Sequence, residues 1–407
     1  MTHKTTDAAH ALHQRAVLAI STATGSTALL MNVWLPFLPL YMLQVGARDE
    51  AAALFWVAVG ASAQGAGRLI GGPLWGLLSD RLGRKKMFVR AVYFAALTAF
   101  VLSVINAPWQ VGIALGLQGL LSGFVPAAVA LMSVSVPDAK VRDALNAVSG
   151  AQYLGSAIGP AVGAAMAIAF GFRGAIFSSG LLIAAVATAV IFLVPADTVR
   201  RKKLDLSGAA IALAPFKPTL QFALAVLLFF ALFALTTFRS VATPIALKGI
   251  AGAGVTQATG IAFTLGGIAS ALGVWILSTP FFRRWRLRDI LALTCVLTAL
   301  AHLLLAYSDS VWLFVAAFTL ASFLNASMMP ATNTMIALNV SRDRRGTAFG
   351  IGSAAQAVAF MVGPMGAAMF ATFSLRAGFV TVSVLMLALA ALVAFAVREP
   401  PADRQAA

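Results

Sequence analysis

The chain has 407 residues, 60% of them hydrophobic and 10% charged, and its 29 Lys and Arg against 13 Asp and Glu give a net charge of +16. An ordinary soluble protein is nearer a quarter charged, and no water-soluble core can bury this much apolar surface behind so few charges, which excludes a soluble globular fold. The basic excess excludes a nucleic-acid binder too, because it falls in short clusters within 81–86, 200–203, 283–288 and 342–345, each between long apolar runs.

Those runs, each of roughly 18 residues or more and able to cross about 30 Å of hydrocarbon as a helix, predict an all-α membrane protein of twelve spans. The segment before them, 1–16, reads as a polar tail; the histidines in it, His3, His10 and His13, are not read as a metal site. No small-residue cleavage site follows, so span 1 is read as retained rather than as a signal peptide. Span 1 covers 17–43, carries Asn32 and ends on Leu35-Pro36-Phe37-Leu38-Pro39-Leu40-Tyr41. Span 2 covers 52–79 and holds Arg68 about 18 Å from Asp80, at ~1.5 Å per residue. A charge that deep is costly and faces a cavity or a partner.

The loop to span 3 (87–106) reads Gly76-Leu77-Leu78-Ser79-Asp80-Arg81-Leu82-Gly83-Arg84-Lys85-Lys86. Gly76 lets helices approach closely and Gly83 permits a tight turn. Asp80 is an anion at the membrane edge, suited to pair with arginines such as Arg81 and Arg84 or with a helix N-terminus. Such contacts lock one conformation and break in the other, which makes this a gating segment. Span 4 (109–134) carries Gln118 and the stretch Gly119-Leu120-Leu121-Ser122-Gly123-Phe124-Val125-Pro126. Span 5 (144–170) carries Gln152 and the series Gly155-x-x-x-Gly159-Pro160-x-x-Gly163, a small-residue face for close packing with a proline that bends it. Span 6 covers 173–194.

A polar linker, 195–218, divides the chain into two sets of six spans, 17–194 and 219–397, with a tail at 398–407. The second set runs 219–247, 257–281, 287–307, 311–338, 345–372 and 375–397. Arg239 in span 7 either snorkels to the outer interface or faces the interior. Cys295, the one cysteine, lies in an apolar run, so no intrachain disulfide forms. His302 in span 9 is expected on a peripheral helix, with a coupling role as the lesser alternative. Asn325 and Asn333 in span 10 and Gln356 in span 11 complete the substrate-binding candidates with Asn32, Arg68, Gln118, Gln152 and Arg239. For each amide, helix–helix packing is the equal alternative.

The two sets are related as repeats. Gly159-Pro160 recurs as Gly363-Pro364, and at the same offset of 204 Pro126 matches Pro330 and Gln152 matches Gln356; one residue shorter, Arg173 matches Arg376. With the N-terminus in the cytoplasm, 23 of the 29 Lys and Arg fall inside. That is the positive-inside arrangement, with both termini cytoplasmic. All 13 acidic residues fall in termini, loops or span edges. Without a central carboxylate to receive a cation, a neutral or anionic substrate is favoured.

The Gly76–Lys86 loop resembles the loop signature of the major facilitator superfamily, and the Gly155–Gly163 series resembles the antiporter signature of its drug/proton antiporter branch. The Leu35–Tyr41 and Gly119–Pro126 stretches are similar to bacterial multidrug-efflux members of that branch, and the likeness covers nearly the whole chain. It implies two pseudo-symmetric six-helix halves in the bacterial inner membrane. It also implies a monomer with no cofactor and no metal, whose partners are a small-molecule substrate, protons and the lipid bilayer. The activity implied is proton-exchanging export, by alternating access, of a drug-like compound or secreted metabolite, siderophores included. Two departures stand out. Span 4 has Leu115 where the family's proton-coupling arginine is expected, and the second-half loop, 281–289, is basic but lacks the Gly-Asp-Gly spacing. The alternatives are a facilitator or importer of a neutral or anionic solute, or a non-transporting receptor or assembly factor. An enzyme is not expected, since the sequence holds no H-E-x-x-H, G-x-S-x-G or P-loop pattern.

Overall fold

The computed structural model describes residues 2–194, 219–277, 286–340 and 345–398. The linker at 195–218, the loop at 281–285 and the tail past 398 lie outside the described residues. Of Gly76, Asp80 and Arg81 only the place in a helix is described.

Every regular element among the described residues is a helix, as hydrocarbon demands: with no water to satisfy free N–H and C=O groups, a crossing segment must bond its backbone internally. Span 1 is α1 (Thr2–Asn32), a 3-10 turn at Leu35–Phe37 and α2 (Leu38–Gln44); span 2 is α3 (Glu50–Leu82); span 3 is α4 (Arg84–Val104). Span 4 is α5 (Gln110–Leu121) with α6 (Phe124–Ser135), and spans 5 and 6 are joined in α7 (Asp138–Leu193). Spans 7 to 12 are α8 (Leu220–Ala251), α9 (Val255–Leu277), α10 (Leu287–Ala306), α11 (Val311–Leu338), α12 (Arg345–Ala371) and α13 (Leu375–Ala396).

Among the described residues, nine apolar stretches are long enough to cross a membrane. Two of these, of 51 and 57 residues, have the length of two crossings each. Gly171 (φ 70°, ψ 169°) breaks the first, and the 3-10 turn Gly252–Gly254 breaks the second. With α3, whose apolar run is interrupted by Gln64 and Arg68, the crossings number twelve.

Three local features differ from the simple run of spans. Helix α1 begins at Thr2, so the segment expected as a tail is helical; Ala8, Ala9, Ala11, Leu12 and Gln14 are strong helix formers and extend an already nucleated helix. Pro36 and Pro39 withdraw two backbone donors and divide span 1 into α1 and α2. Span 4 breaks at Ser122-Gly123, where Gly123 is left-handed (φ 79°, ψ 40°). The break leaves carbonyls without helical partners. The Trp75 indole N–H donates to Leu120 O at 2.6 Å, and Arg90 donates to Ser122 O at 3.3 Å. The Arg90 guanidinium lies 3.5 Å from the Trp75 ring centroid, so both caps hold each other. A Cβ at Gly123 meets nothing within 4 Å, so its cost is backbone strain alone. Gly123→Ala should therefore lose about 1–2 kcal/mol. Gly123→Asn, which tolerates the left-handed region, should lose less. Thermal unfolding in detergent checks the order, and equal midpoints for Gly123→Ala and the native protein would contradict it.

The described chain divides into two compact units, within Met1–Gly46 and Ala63–Lys202, and within Ala47–Ser62 and Lys203–Ala407. The start of span 2 thus groups with the second unit, where Glu50 pairs with Lys248 at 2.7 Å. Each unit has its own apolar core. The first gathers Ile20, Phe88, Leu131, Met132 and Ile183, and the second Phe222, Leu232, Leu291, Phe314 and Met386.

Both units use the same pairings. Span 5 crosses span 1 with Gly159 facing the backbone of Leu29 and Asn32, and span 11 crosses span 7 with Gly363 facing Ala234 and Thr237. Span 2 meets span 4 through Gly67 and Gly71, and span 8 meets span 10 through Gly266 and Gly273. At the start of span 6, Arg173 donates to Ser103 O (3.2 Å) and Ile105 O (2.7 Å), at the end of span 3. Its repeat mate Arg376, at the start of span 12, donates to Ala306 O (3.0 Å) at the end of span 9. In both, a cation sits on the carbonyl end of a helix.

Candidate functional site

The Gly76–Lys86 segment is built on a turn. Gly83, between α3 and α4, has φ 98° and ψ 139°, a conformation open to glycine. The turn delivers Arg84 to the end of α6, where it donates to Ala130 O (3.0 Å) and Ser133 Oγ (3.1 Å). Lys85 donates to Ile191 O and Val194 O at the end of α7. Arg84 and Lys85 therefore cap two helices, a role that charge topology alone does not reveal. Asp80 and Arg81 side chains lie outside the described residues.

The span 5 series sits on span 1. A Cβ on Gly159 would lie 2.5 Å from Leu29 O and 2.6 Å from Asn32 Cβ. Gly155 and Gly163 face the oxygens of Gly25 and Val33 even more closely. Pro160 is buried within α7 beside this face. Asn32 belongs to the same crossing: its amide donates to Ala28 O at 2.9 Å and meets Ser156 Oγ at 3.4 Å.

In the first unit, polar side chains gather where spans 1, 2 and 4 meet. Gln118, 5% exposed, accepts from Gln64 and reaches Met31 Sδ at 3.5 Å. Gln64 lies one turn before Arg68, and Arg68 is exposed on the helix surface. Leu115, at the position of the missing arginine, is buried. Gln152 is half-buried on span 5.

In the second unit the polar side chains tie span 7 to span 10. Arg239 is 3% exposed, so it does not snorkel to a surface. Its Nη1 donates to Phe318 O and Ser322 Oγ, both at 3.0 Å, and the guanidinium carbon lies 4.6 Å from the Phe318 ring centroid. One turn away, Asn325 donates to Thr236. His302 on span 9 is also buried, at 1% exposure, with its Nδ1 2.8 Å from Thr298 O. Asn333 is exposed and Gln356 half-buried. Among the described residues, Gln152, Asn333 and Gln356 make no side-chain hydrogen bond, which leaves their amides open to a ligand or water.

Gln64 and Thr236 are site neighbours that sequence reasoning does not single out. Gln64 had a usable signal, a second polar residue one turn from Arg68 in an apolar run. Thr236 had none, because a threonine bonding within its own helix is ordinary in a span. The described carboxylates whose side chains are placed, Asp49, Glu50, Asp143, Asp289 and Asp309, lie at or near helix ends. No group of three or more metal-ligating side chains occurs among the described residues. The interior chemistry is thus amides, hydroxyls and arginine, which suits hydrogen bonding to neutral or anionic groups. A separate apolar crevice of about 490 Å³ between spans 8 and 10, walled by Leu265, Trp312, Val315 and Phe323, carries no charged side chain.

The Major Facilitator Superfamily model matches residues 20–300 and 224–407. The chain is 30% identical over 354 residues to the multidrug resistance protein MdtG of Proteus mirabilis, covering 85% of this chain and 86% of the relative. It is 30% identical over 368 residues to MdtG of Dickeya zeae, covering 87% of each. Among solved structures, the nucleoside transporter NupG matches with a TM-score of 0.73 at 14% identity, over 93% of this chain and 98% of NupG. The human organic anion transporter MFSD10 matches with a TM-score of 0.64 at 18% identity, over 94% of this chain and 99% of its own. Twelve crossings in two like-built sets of six and a family match along almost the whole chain lead to one assignment: this is a membrane transporter of the Major Facilitator Superfamily.

Proposed function

We propose that the chain exports a small neutral or anionic compound, drug-like or a secreted metabolite such as a siderophore, from the bacterial cytoplasm in exchange for protons. It works as a monomer in the inner membrane, with both termini in the cytoplasm, by alternating access; the candidate substrate contacts are Asn32, Arg68, Gln118 and Gln152 in the first unit and Arg239, Asn325, Asn333 and Gln356 in the second. The observation that carries this reading is the 30% identity, over 85% of the chain, to a protein named for multidrug resistance. The substrate class follows from the interior, where arginine and amides replace the carboxylate that a cation would need. Leu115 in place of the family arginine favours a second reading, a facilitator moving the same class of solute down its own gradient.

The test is a thermal-stabilisation screen of the purified protein across cationic, neutral and anionic compounds, followed by flux of each hit in proteoliposomes. Neutral and anionic compounds are expected to raise the melting midpoint more than cationic ones, and a pH gradient is expected to drive flux. Preference for cations would overturn the substrate class. Flux indifferent to the pH gradient would establish the facilitator, and an absence of both binding and flux would point to a receptor.

A further inference from the structure

Span 2 is one unbroken helix, α3, and the Gly76–Lys86 segment begins near its end. At ~1.5 Å per residue, Glu50 at its start lies about 45 Å from Asp80, more than the ~30 Å of hydrocarbon. The two residues therefore stand on opposite faces of the membrane. Glu50 Oε1 accepts from Lys248 Nζ at 2.7 Å, which ties span 2, of the first set of six, to span 7, of the second. The neighbouring acid has a local job. Asp49 Oδ1 accepts from Ala52 N at 2.7 Å, as an N-cap does, and its Oδ2 pairs with Arg48 at 3.0 Å. Of the two acids, Glu50 is the one that reaches another span.

This ion pair suits a contact that is made and broken repeatedly. The Lys248 and Glu50 side chains are 41% and 47% exposed. An exposed pair adds little to stability and opens to water without burying a charge. Each partner is also well placed alone. Glu50 stands in the first turn of α3 and Lys248 in the last turn of α8, where the helix dipoles favour an anion and a cation. Separation therefore unravels neither helix. The pairing is one-sided in the repeat. At the offset of 204, Lys248 answers to Gln44 and Glu50 to Gly254; one residue shorter, they answer to Val45 and Ala253. Neither register puts a charge at the mirror positions of spans 1 and 8.

We propose that the Glu50–Lys248 pair is a releasable latch that closes the transport path on the face opposite the Gly76–Lys86 segment, so that span 2 carries a gating charge at each end. With the latch made, the start of span 2 is held on the end of span 7, and residues 47–62 group with the second unit while span 2 from Ala63 onward groups with the first. With the latch released, both charges pass to water and the start of span 2 leaves span 7. The proposal rests on the alternating-access reading of function above.

The experiment uses the full chain in nanodiscs, with Cys295→Ala and spin labels on Ala51→Cys and Gly249→Cys; a Cβ at Gly249 meets nothing within 4 Å. Two label distances are expected, the shorter with the latch made. Glu50→Lys and Lys248→Glu each set like charges face to face and should raise the long-to-short ratio about fivefold. Flux should fall while the melting midpoint holds. The double exchange, Glu50→Lys with Lys248→Glu, should restore both ratio and flux. Asp49→Asn, which still caps α3, should leave the ratio alone. Raising salt from about 0.01 M to about 1 M should move the unexchanged protein toward the long distance, because the pair is screened. A ratio that the single variants shift and the double exchange does not restore overturns the latch, since the two charges then act separately. A ratio indifferent to salt overturns it as well, even where the variants fail to fold. In both cases two distances remain and alternating access stands, whereas one fixed distance in every protein overturns alternating access too.

Discussion

Gly163→Leu and Gly159→Leu are expected to abolish transport and lower the melting midpoint sharply, whereas Gly150→Leu, on the same helix, is expected to change neither. The difference lies in what each position faces. Gly155, Gly159 and Gly163 recur every four residues and lie on Gly25, Leu29 and Val33, which recur at the same spacing on span 1, so the two helices pack along matching ridges. At Gly159 a Cβ alone would sit 2.5 Å from a main-chain oxygen, and main chain cannot rotate aside as a side chain can. The spans must separate, and every contact along the crossing weakens with them; overpacking of this sort costs about 1–3 kcal/mol or more. At Gly150 nothing lies within 4 Å. Size-exclusion profiles, melting midpoints and flux of the three proteins measure the contrast. Native melting and flux in Gly163→Leu would show that the crossing does not hold span 5 on span 1.

Asp80→Asn is expected to cut transport at least tenfold, on the order of 1.4 kcal/mol, with membrane insertion and melting midpoint unchanged. Asp80 is the sole acid of the loop signature, and removing its charge shifts a conformational balance without taking away a packing contact. Arg84→Gln is the companion measurement and should behave in the opposite order. It withdraws a cation from Ala130 O and Ser133 Oγ at the end of α6, forfeiting charge-assisted hydrogen bonds of about 1.5–3 kcal/mol, so stability falls first. Parallel melting and flux assays separate the two. Native flux in a well-expressed Asp80→Asn protein would remove the gating role from the signature.

The crossings were legible because hydrocarbon imposes a length and forbids unsatisfied backbone, and both demands write themselves into residue order. Span boundaries near Gly171 and Gly252 could be read for the same reason, since a glycine between two long apolar runs is where a helix can be turned. The break at Ser122-Gly123 was not legible: the stretch is apolar throughout, and what stabilises the break is Trp75 and Arg90, from two other spans. The helical start of α1 is hidden in the sequence because its polarity outweighs the helix propensity of its alanines. At the site, single residues were visible and their pairings were not. Arg239 had an interior and an interfacial reading of equal merit until Phe318 and Ser322 were seen beside it. The burial of His302 was not legible, because a lone histidine in an apolar run carries no sign of what packs around it.

The caps made by Arg173 and Arg376 have an evolutionary consequence. Their acceptors at Ser103, Ile105 and Ala306 are main-chain oxygens, present whatever side chain those positions carry. The receiving ends of spans 3 and 9 are therefore free to drift in identity without untying the outer helices, while the giving ends are not, since no other side chain offers the same fork of donors. Mutational tolerance is thus lopsided across each tie. The duplication that made two halves copied the lopsidedness along with it, so each half can diverge toward its own substrate contacts from the receiving side while the frame around them stays the same.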